Sequence, residues 1–174
     1  MVQKNFHFNG TTITPGKSQA INLPVAKLYT HAEITMPVHI IHGTNPGPCL
    51  FLSAALHGDE INGVEIIRRV LNVVSPKKIS GTLLAVPVVN VYGFISKSRY
   101  LPDRRDLNRS FPGLQEGSLA ARLAFLFMNE IVARSTHGLD LHTGALYRTN
   151  LPQIRAQLTS TKIRNMAQAF GAPV

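Results

Sequence analysis

An α/β fold around a mixed, mostly parallel sheet is what this sequence predicts, and three observations carry the prediction. Cys49-Leu-Phe-Leu-Ser-Ala-Ala-Leu56 is a continuous apolar run bounded upstream by Asn45-Pro-Gly-Pro48, the pattern of a strand buried on both faces. Ile61, Val64, Ile67 and Leu71 then recur at three- and four-residue steps, as on one face of a helix. Gly81-Thr-Leu-Leu-Ala-Val-Pro-Val-Val-Asn90 reads as a second buried strand that ends on a polar Asn. Strand, helix and strand in alternation define the α/β class.

The other elements follow in order. Residues 10–29 mix turn residues with short apolar stretches, so irregular strands or hairpins are expected there. Glu33 to Gly43 is β-rich, and Pro37 argues for an edge position because it cannot donate to a ladder. Gly117 to Arg134 reads as a helix with Leu119, Leu123, Phe127 and Ile131 on one stripe. Gly138 to Leu141 begins another strand. Thr159-Ser-Thr161 has the composition of a cap for a last helix carrying Ile163, Met166 and Phe170, stopped by Gly171 and Pro173. No internal repeat or low-complexity segment interrupts this order.

Length and composition bound the function. A chain of 174 residues with 44% apolar content is enough for one core-bearing domain. Lys and Arg number 18 against 9 Asp and Glu, for a net charge of +9. The basic residues are scattered apart from the Arg99–Arg109 stretch, and no nucleic-acid-binding motif accompanies them. That stretch therefore reads as a local attraction for an anionic small molecule. Cys49, the only cysteine, has no partner for an internal disulfide and suits a core position. Met1-Val-Gln-Lys-Asn-Phe-His lacks the apolar core of a signal peptide, and no run approaches the ~20 apolar residues of a membrane span. A cytoplasmic protein with no membrane partner is expected.

Chemistry concentrates in three places. His57-Gly-Asp-Glu60 falls at the turn between the first buried strand and its helix, with Asp59 and Glu60 expected in the first helical turn and His57 and Glu60 on one face. Asp140-Leu-His142 follows another short strand. Open α/β sheets place sites at the carboxyl ends of strands, where both His are expected. Two imidazoles and a carboxylate are the ligand set of a catalytic zinc, whose open position suits hydrolysis. His-x-x-Glu alone is equally a helix cap. Between these segments lies Ser98 to Gly113, a loop by its Pro, Asp and Gly content that carries four arginines. Guanidinium groups grip carboxylates in a fork, so the loop reads as a substrate clamp in preference to a solvated basic loop.

His57-Gly-Asp-Glu60, Asp106-Leu-Asn-Arg109 followed by Phe111-Pro-Gly, and Asp140-Leu-His-Thr-Gly144 together resemble the succinylglutamate desuccinylase/aspartoacylase family, a branch of the zinc carboxypeptidase superfamily. The resemblance implies a three-layer, carboxypeptidase-like α/β/α sandwich and one zinc per chain, held by His57, Glu60 and His142. It implies that Asn108 and Arg109 hold the substrate carboxylate and that Arg99 polarises the scissile carbonyl. The loop is slightly longer than in aspartoacylase, so Arg104 or Arg105 are alternatives for the last role. Asp140 is implied to orient His142. The substrate implied is a small anionic N-acyl amino acid or similar acyl amide.

One departure stands against these matches. Members of that family use a glutamate general base well beyond the second zinc His, yet Thr143 to Val174 contains no Asp or Glu. The chain is therefore expected to be the N-terminal part of a single zinc-hydrolase domain, without the rest of that domain or the family's β-rich C-terminal domain, and to be inactive or nearly so by itself. Self-association into a homo-oligomer stays open.

His7, His31, His39, His42 and His137 have no motif partner and read as surface or structural residues. Asn150-Leu-Pro-Gln-Ile-Arg155 is as suited to substrate contact as to a solvated edge. Two rival functions remain at this stage, a carboxypeptidase acting on peptides and an anion-binding remnant without chemistry.

Overall fold

The computed structural model describes residues 2–145 and 147–172. β1 (Phe6–Phe8) and β2 (Thr11–Ile13) form a small antiparallel hairpin. β3 (Lys17–Lys27), β4 (Glu33–His42), β5 (Asn45–Ala54), β6 (Ser80–Val86) and β7 (His137–Leu141) build one sheet in the order β3-β4-β6-β5-β7. The helices are α1 (Asn62–Val73), α2 (Val91–Ser96), α3 (Leu119–Phe127) and α4 (Thr161–Phe170).

The sheet is mixed, and its two halves differ. β5 runs parallel to both β6 and β7, whereas β3 with β4 and β4 with β6 are antiparallel. The parallel character is thus confined to the half that the apolar runs announced. A short turn joins β3 to β4, closed by the Leu28 N–H on the Ala32 carbonyl at 2.9 Å, and short turns join only antiparallel neighbours. β5 reaches β6 through α1, the crossover that a parallel pair needs.

β4 is an inner strand, which corrects the edge expected from Pro37. Pro37 pairs with Asn22 of β3, but the ladder to β6 covers only His39 to His42. Pro37 therefore sits where no second neighbour asks for its N–H.

Alternation along the strands divides the core into two layers. Ile41, Leu52, Ala54, Leu83 and Ala85 face α1 and pack on Ile67. Ile40, Leu84 and Val86 face the other way, onto Leu123, Ala124 and Phe127 of α3 and onto Phe8 and Ile13 of the hairpin. The three-layer sandwich follows. Ile67 is fully buried, worth about 1.5–3 kcal/mol of transfer free energy.

Local differences from the sequence pattern have physical causes. α1 begins at Asn62, so Asp59 and Glu60 precede it and do not occupy its first turn. They belong to a separate turn closed by the Glu60 N–H on the His57 carbonyl at 3.1 Å. The expected helix from Gly117 to Arg134 is α3, capped by Ser118 Oγ accepting from the Ala121 N–H at 3.2 Å, and it widens into a π segment over Met128–Val132. α4 has its N-cap at Ser160, within the expected Thr159–Thr161 segment but without a side-chain bond, and no residue of α4 is buried. Gly171 ends α4 at φ +71°, and Pro173, the other expected stop, lies outside the described residues. Cys49 is half-buried, and burial pushes its thiol pKa up. Among the described residues no helix is long and apolar enough to cross a membrane.

Candidate functional site

The carboxyl ends of β5 and β7 lie side by side because the two strands are paired from Leu50 with His137 to Ala54 with Leu141. The chain leaves β5 through Ala55, a buried non-glycine residue at φ +49°, and turns into His57 and Glu60. Gly58 in that turn lies against the backbone of Gly93 in α2, where a Cβ would overlap the Gly93 carbonyl group. Leaving β7, the chain places His142 and Thr143 over the same turn.

His57, Glu60 and His142 converge. Each offers a ligand atom, and these atoms lie within 4.8 Å of one another. Nδ1 of His57 is 2.8 Å from Glu60 Oε1, and Nδ1 of His142 is 2.9 Å from Glu60 Oε2, which also accepts the Thr143 N–H at 2.9 Å. His57 and Glu60 are buried, while His142 is about one-third exposed at 35%.

The outer nitrogen of each imidazole is held by its own carboxylate. His142 Nε2 lies 2.7 Å from Asp140 Oδ2, and Ser53 Oγ donates to Asp140 Oδ1 at 2.7 Å. His57 Nε2 lies 3.0 Å from Asp106 Oδ1. Each ring thus meets a carboxylate oxygen at both nitrogens, whereas a neutral imidazole carries one N–H. A divalent cation shared by the two Nδ1 atoms and Glu60 satisfies that arrangement and leaves each Nε2–H on its orienting carboxylate. The donor set fits zinc.

Charge follows the same geometry. Burial opposes ionisation of Glu60, but hydrogen bonds from His142, His57 and the Thr143 N–H outweigh it and hold the carboxyl well below the usual carboxylate range. For Asp106, burial is likewise outweighed by Arg99, the Asn108 N–H and His57, so its pKa is lowered. The hydrogen bond to Asp140, then that to Glu60, pushes His142 up to about 10.

Of the three arginines considered for the carbonyl, Arg99 is the one in contact with this cluster among the described residues. Its Nη2 lies 2.9 Å from Asp106 Oδ2 and its Nη1 3.4 Å from Glu60 Oε1. Asn90 steadies that approach, capping α2 through its Oδ1 and donating its amide to the Arg99 carbonyl at 3.5 Å. Arg104 and Arg105 are exposed on the adjoining turn. Asn108 and Arg109 lie in a 3-10 turn, Leu107–Arg109, directly after Asp106. The Asn108 backbone N–H donates to Asp106 Oδ1 at 2.9 Å, but both side chains are exposed and make no contact with the His–Glu–His group among the described residues.

Asp106 and Ser53 escaped the sequence reading. The one available signal for Asp106 was its place at the head of Asp-Leu-Asn-Arg, parallel to Asp140 at the head of Asp-Leu-His. The remaining histidines lie apart. His137 sits at the far end of β7, and buried His42 donates from Nε2 to the Lys4 carbonyl at 2.8 Å. Asn150 to Arg155 is irregular and almost wholly exposed.

Comparison with known proteins matches the chain to a known family. Residues 46–174 match the succinylglutamate desuccinylase/aspartoacylase catalytic domain. The chain belongs to that family. It is 29% identical over 146 residues to the N-alpha-acetyl-L-2,4-diaminobutyric acid deacetylase of Halomonas elongata, covering 80% of this chain and 42% of that one. The crystal structure of an aspartoacylase family protein from Mesorhizobium loti superposes with a TM-score of 0.78 at 26% identity, over 99% of this chain and 55% of the other. A succinylglutamate desuccinylase/aspartoacylase from Rhodobacter sphaeroides gives 0.68 at 26% identity, over 76% and 43%. The chain therefore spans about half the length of these family members.

Proposed function

We propose that this protein belongs to a zinc-dependent hydrolase that cleaves the amide bond of an N-acyl amino acid or a similar small acyl amide. The observation that carries the reading is the meeting of His57 Nδ1, Glu60 and His142 Nδ1, with Asp106 and Asp140 on the outer nitrogens. Family membership supports the reaction class, and the diaminobutyrate relative supports an acyl amino acid as substrate.

One zinc ion per chain, held by His57, Glu60 and His142, supplies Lewis-acid polarisation of a carbonyl when bound. The chain's own residues do the rest. Asp106 and Asp140 fix which imidazole nitrogen faces inward. Arg99 holds a positive charge beside Glu60, placed to stabilise an oxygen that gains negative charge. Asn108 and Arg109 orient the substrate by its carboxylate, which supplies the positional part of the rate enhancement. The buried walls at His57 and Glu60 exclude water and strengthen these interactions. The substrate is a small anion; nucleic acid and membranes are not partners in this reading, and the location is cytoplasmic.

The proton acceptor is not assigned to this chain. Glu60, Asp106 and Asp140 are each engaged by histidine, and no carboxylate side chain follows His142. The 174-residue chain is accordingly expected to bind zinc and ligand but to turn over little. Atomic absorption on the purified chain and on His57→Ala tests the metal, with stoichiometric zinc expected only in the former. Hydrolysis of N-acetyl and N-succinyl amino acids against short peptides, with a longer protein that contains this chain, tests the reaction. Cleavage of peptides alone would replace the proposal by a carboxypeptidase.

A further inference from the structure

Asp103 is the one carboxylate of the loop from Ser98 to Gly113 that the candidate site does not use. Its Oδ2 accepts the Ala120 N–H at the start of α3 at 3.0 Å, and its Oδ1 accepts the Arg105 N–H at 3.2 Å. A single half-buried side chain thus joins the loop to a helix residue 17 positions away. The helix end is suited to it. Ser118 Oγ takes the Ala121 N–H, which leaves that of fully buried Ala120 to satisfy. α3 has no acidic residue of its own in its first turn to meet the positive end of its dipole.

The loop side of this contact is a closed turn. The Arg104 N–H bonds the Leu101 carbonyl at 2.9 Å, and the Leu101 N–H bonds the Arg105 carbonyl at 3.1 Å. Arg104 sits at φ +61°, a backbone region that a non-glycine residue keeps only where its surroundings impose it. The bond from Arg105 to Asp103 is one such constraint. Asp106 follows directly on the turn in extended backbone, at φ −80° and ψ 117°, and its carboxylate meets His57 Nε2 at 3.0 Å. α3 therefore fixes the turn, the turn fixes Asp106, and Asp106 fixes the imidazole.

We propose that Asp103 is a positioning residue for His57. It locks the Leu101–Arg105 turn onto α3, and through that turn it holds Asp106 against His57 Nε2. Without Asp103 the turn loses its tie to the helix, the Arg104 backbone relaxes, and Asp106 loses its aim. The inference deepens the zinc hydrolase reading and rests on it for the metal, since a ligating imidazole needs a partner that fixes its orientation.

Comparison of Asp103→Ala with Ser118→Ala in the whole chain tests this role. Each variant removes a side-chain cap from the same end of α3, so both are expected to lower the Tm. Only the first also touches the loop. In chelator, the Nε2–H proton resonance of His57, assigned by its loss in His57→Ala, is expected to vanish or shift in Asp103→Ala and to persist in Ser118→Ala. Zinc affinity, read by chelator competition, is expected to fall about tenfold in Asp103→Ala and to hold in Ser118→Ala. Adding Asp103→Ala to Asp106→Asn should weaken zinc no further, because the two act through one contact. Asp103→Asn keeps the shape and one acceptor oxygen, so it replaces the alanine variant if that one does not fold, with a change in the same direction expected. A parent-like His57 resonance in the Asp103 variant, equal responses of that variant and Ser118→Ala, or additive losses with Asp106→Asn would overturn the proposal. Absence of zinc uptake by the parent chain counts against the hydrolase reading alone, because the resonance is read without metal.

Discussion

Asp106 meets His57 across 3.0 Å although 49 positions separate them in the chain. The same carboxylate receives Arg99 and the Asn108 N–H, so one side chain ties a candidate metal ligand to the loop that carries the arginines. Asp106→Asn is expected to lower zinc affinity about 10- to 100-fold, the usual cost of removing a partner that orients a ligating imidazole. Competition with a chromogenic chelator measures it, and unchanged affinity would remove Asp106 from the site.

Ser53 acts one step further out. It is fully buried and donates to Asp140, which in turn holds His142. Ser53→Ala removes one hydrogen bond and should cost about 0.5–1.5 kcal/mol in chemical denaturation. Zinc affinity should fall by less than in Asp106→Asn, because Asp140 keeps its contact with His142. A larger fall than in Asp106→Asn would contradict this ranking.

Proton linkage gives a third expectation. In the metal-free chain, Asp140 and then Glu60 raise the His142 pKa from 6.5 to about 10. Folding therefore favours the imidazolium. Its contribution is complete below the unfolded value and is lost as pH rises through about 10. The Tm of the chain in chelator should fall between pH 7 and 10, and Asp140→Asn should flatten that slope. Zinc must displace this proton, so its apparent affinity should climb over the same interval. A Tm that rises with pH would refute the assignment.

Gly58→Ala probes the approach of the turn that carries His57 and Glu60 to α2. The added Cβ meets the Gly93 backbone, which cannot move away as a flexible side chain would. A loss of about 1–3 kcal/mol is expected, typical of overpacking, together with weakened zinc uptake. Circular dichroism melts and metal analysis on one sample check both, and wild-type behaviour in both would show that the turn relaxes freely.

The parallel pair β5 and β6 was legible because both strands write themselves as apolar runs, whereas β7, His-Gly-Leu-Asp-Leu, has no buried residue and carries no such run. β3 was harder to read. Its eleven residues alternate exposed and buried positions and include Pro24, so Lys17 to Lys27 looked like irregular hairpins. The grouping of His57, Glu60 and His142 was legible from motif and strand ends, but the manner of delivery was not. Glu60 is placed by a turn that precedes α1, and the backbone bond from Glu60 to His57 that closes it leaves no signature in residue type. The place of Asp140 beside His142 was implied by the family resemblance. That of Asp106 beside His57 was not, because contact across a long loop depends on tertiary folding. The exposed side chains of Asn108 and Arg109 were likewise beyond inference from the motif alone.

The adjacency of β5 and β7 has a further meaning for how this scaffold can diversify. Glu60 and His142 stand 82 positions apart, yet their separation in space is set by a single hydrogen-bonded ladder. Insertions or deletions in loops other than the turn that carries His57 and Glu60 leave that ladder untouched. A one-residue slip between the two strands would pull Glu60 and His142 apart. Evolution can therefore resize the surroundings of the cluster while pairing between neighbouring strands keeps Glu60 and His142 together.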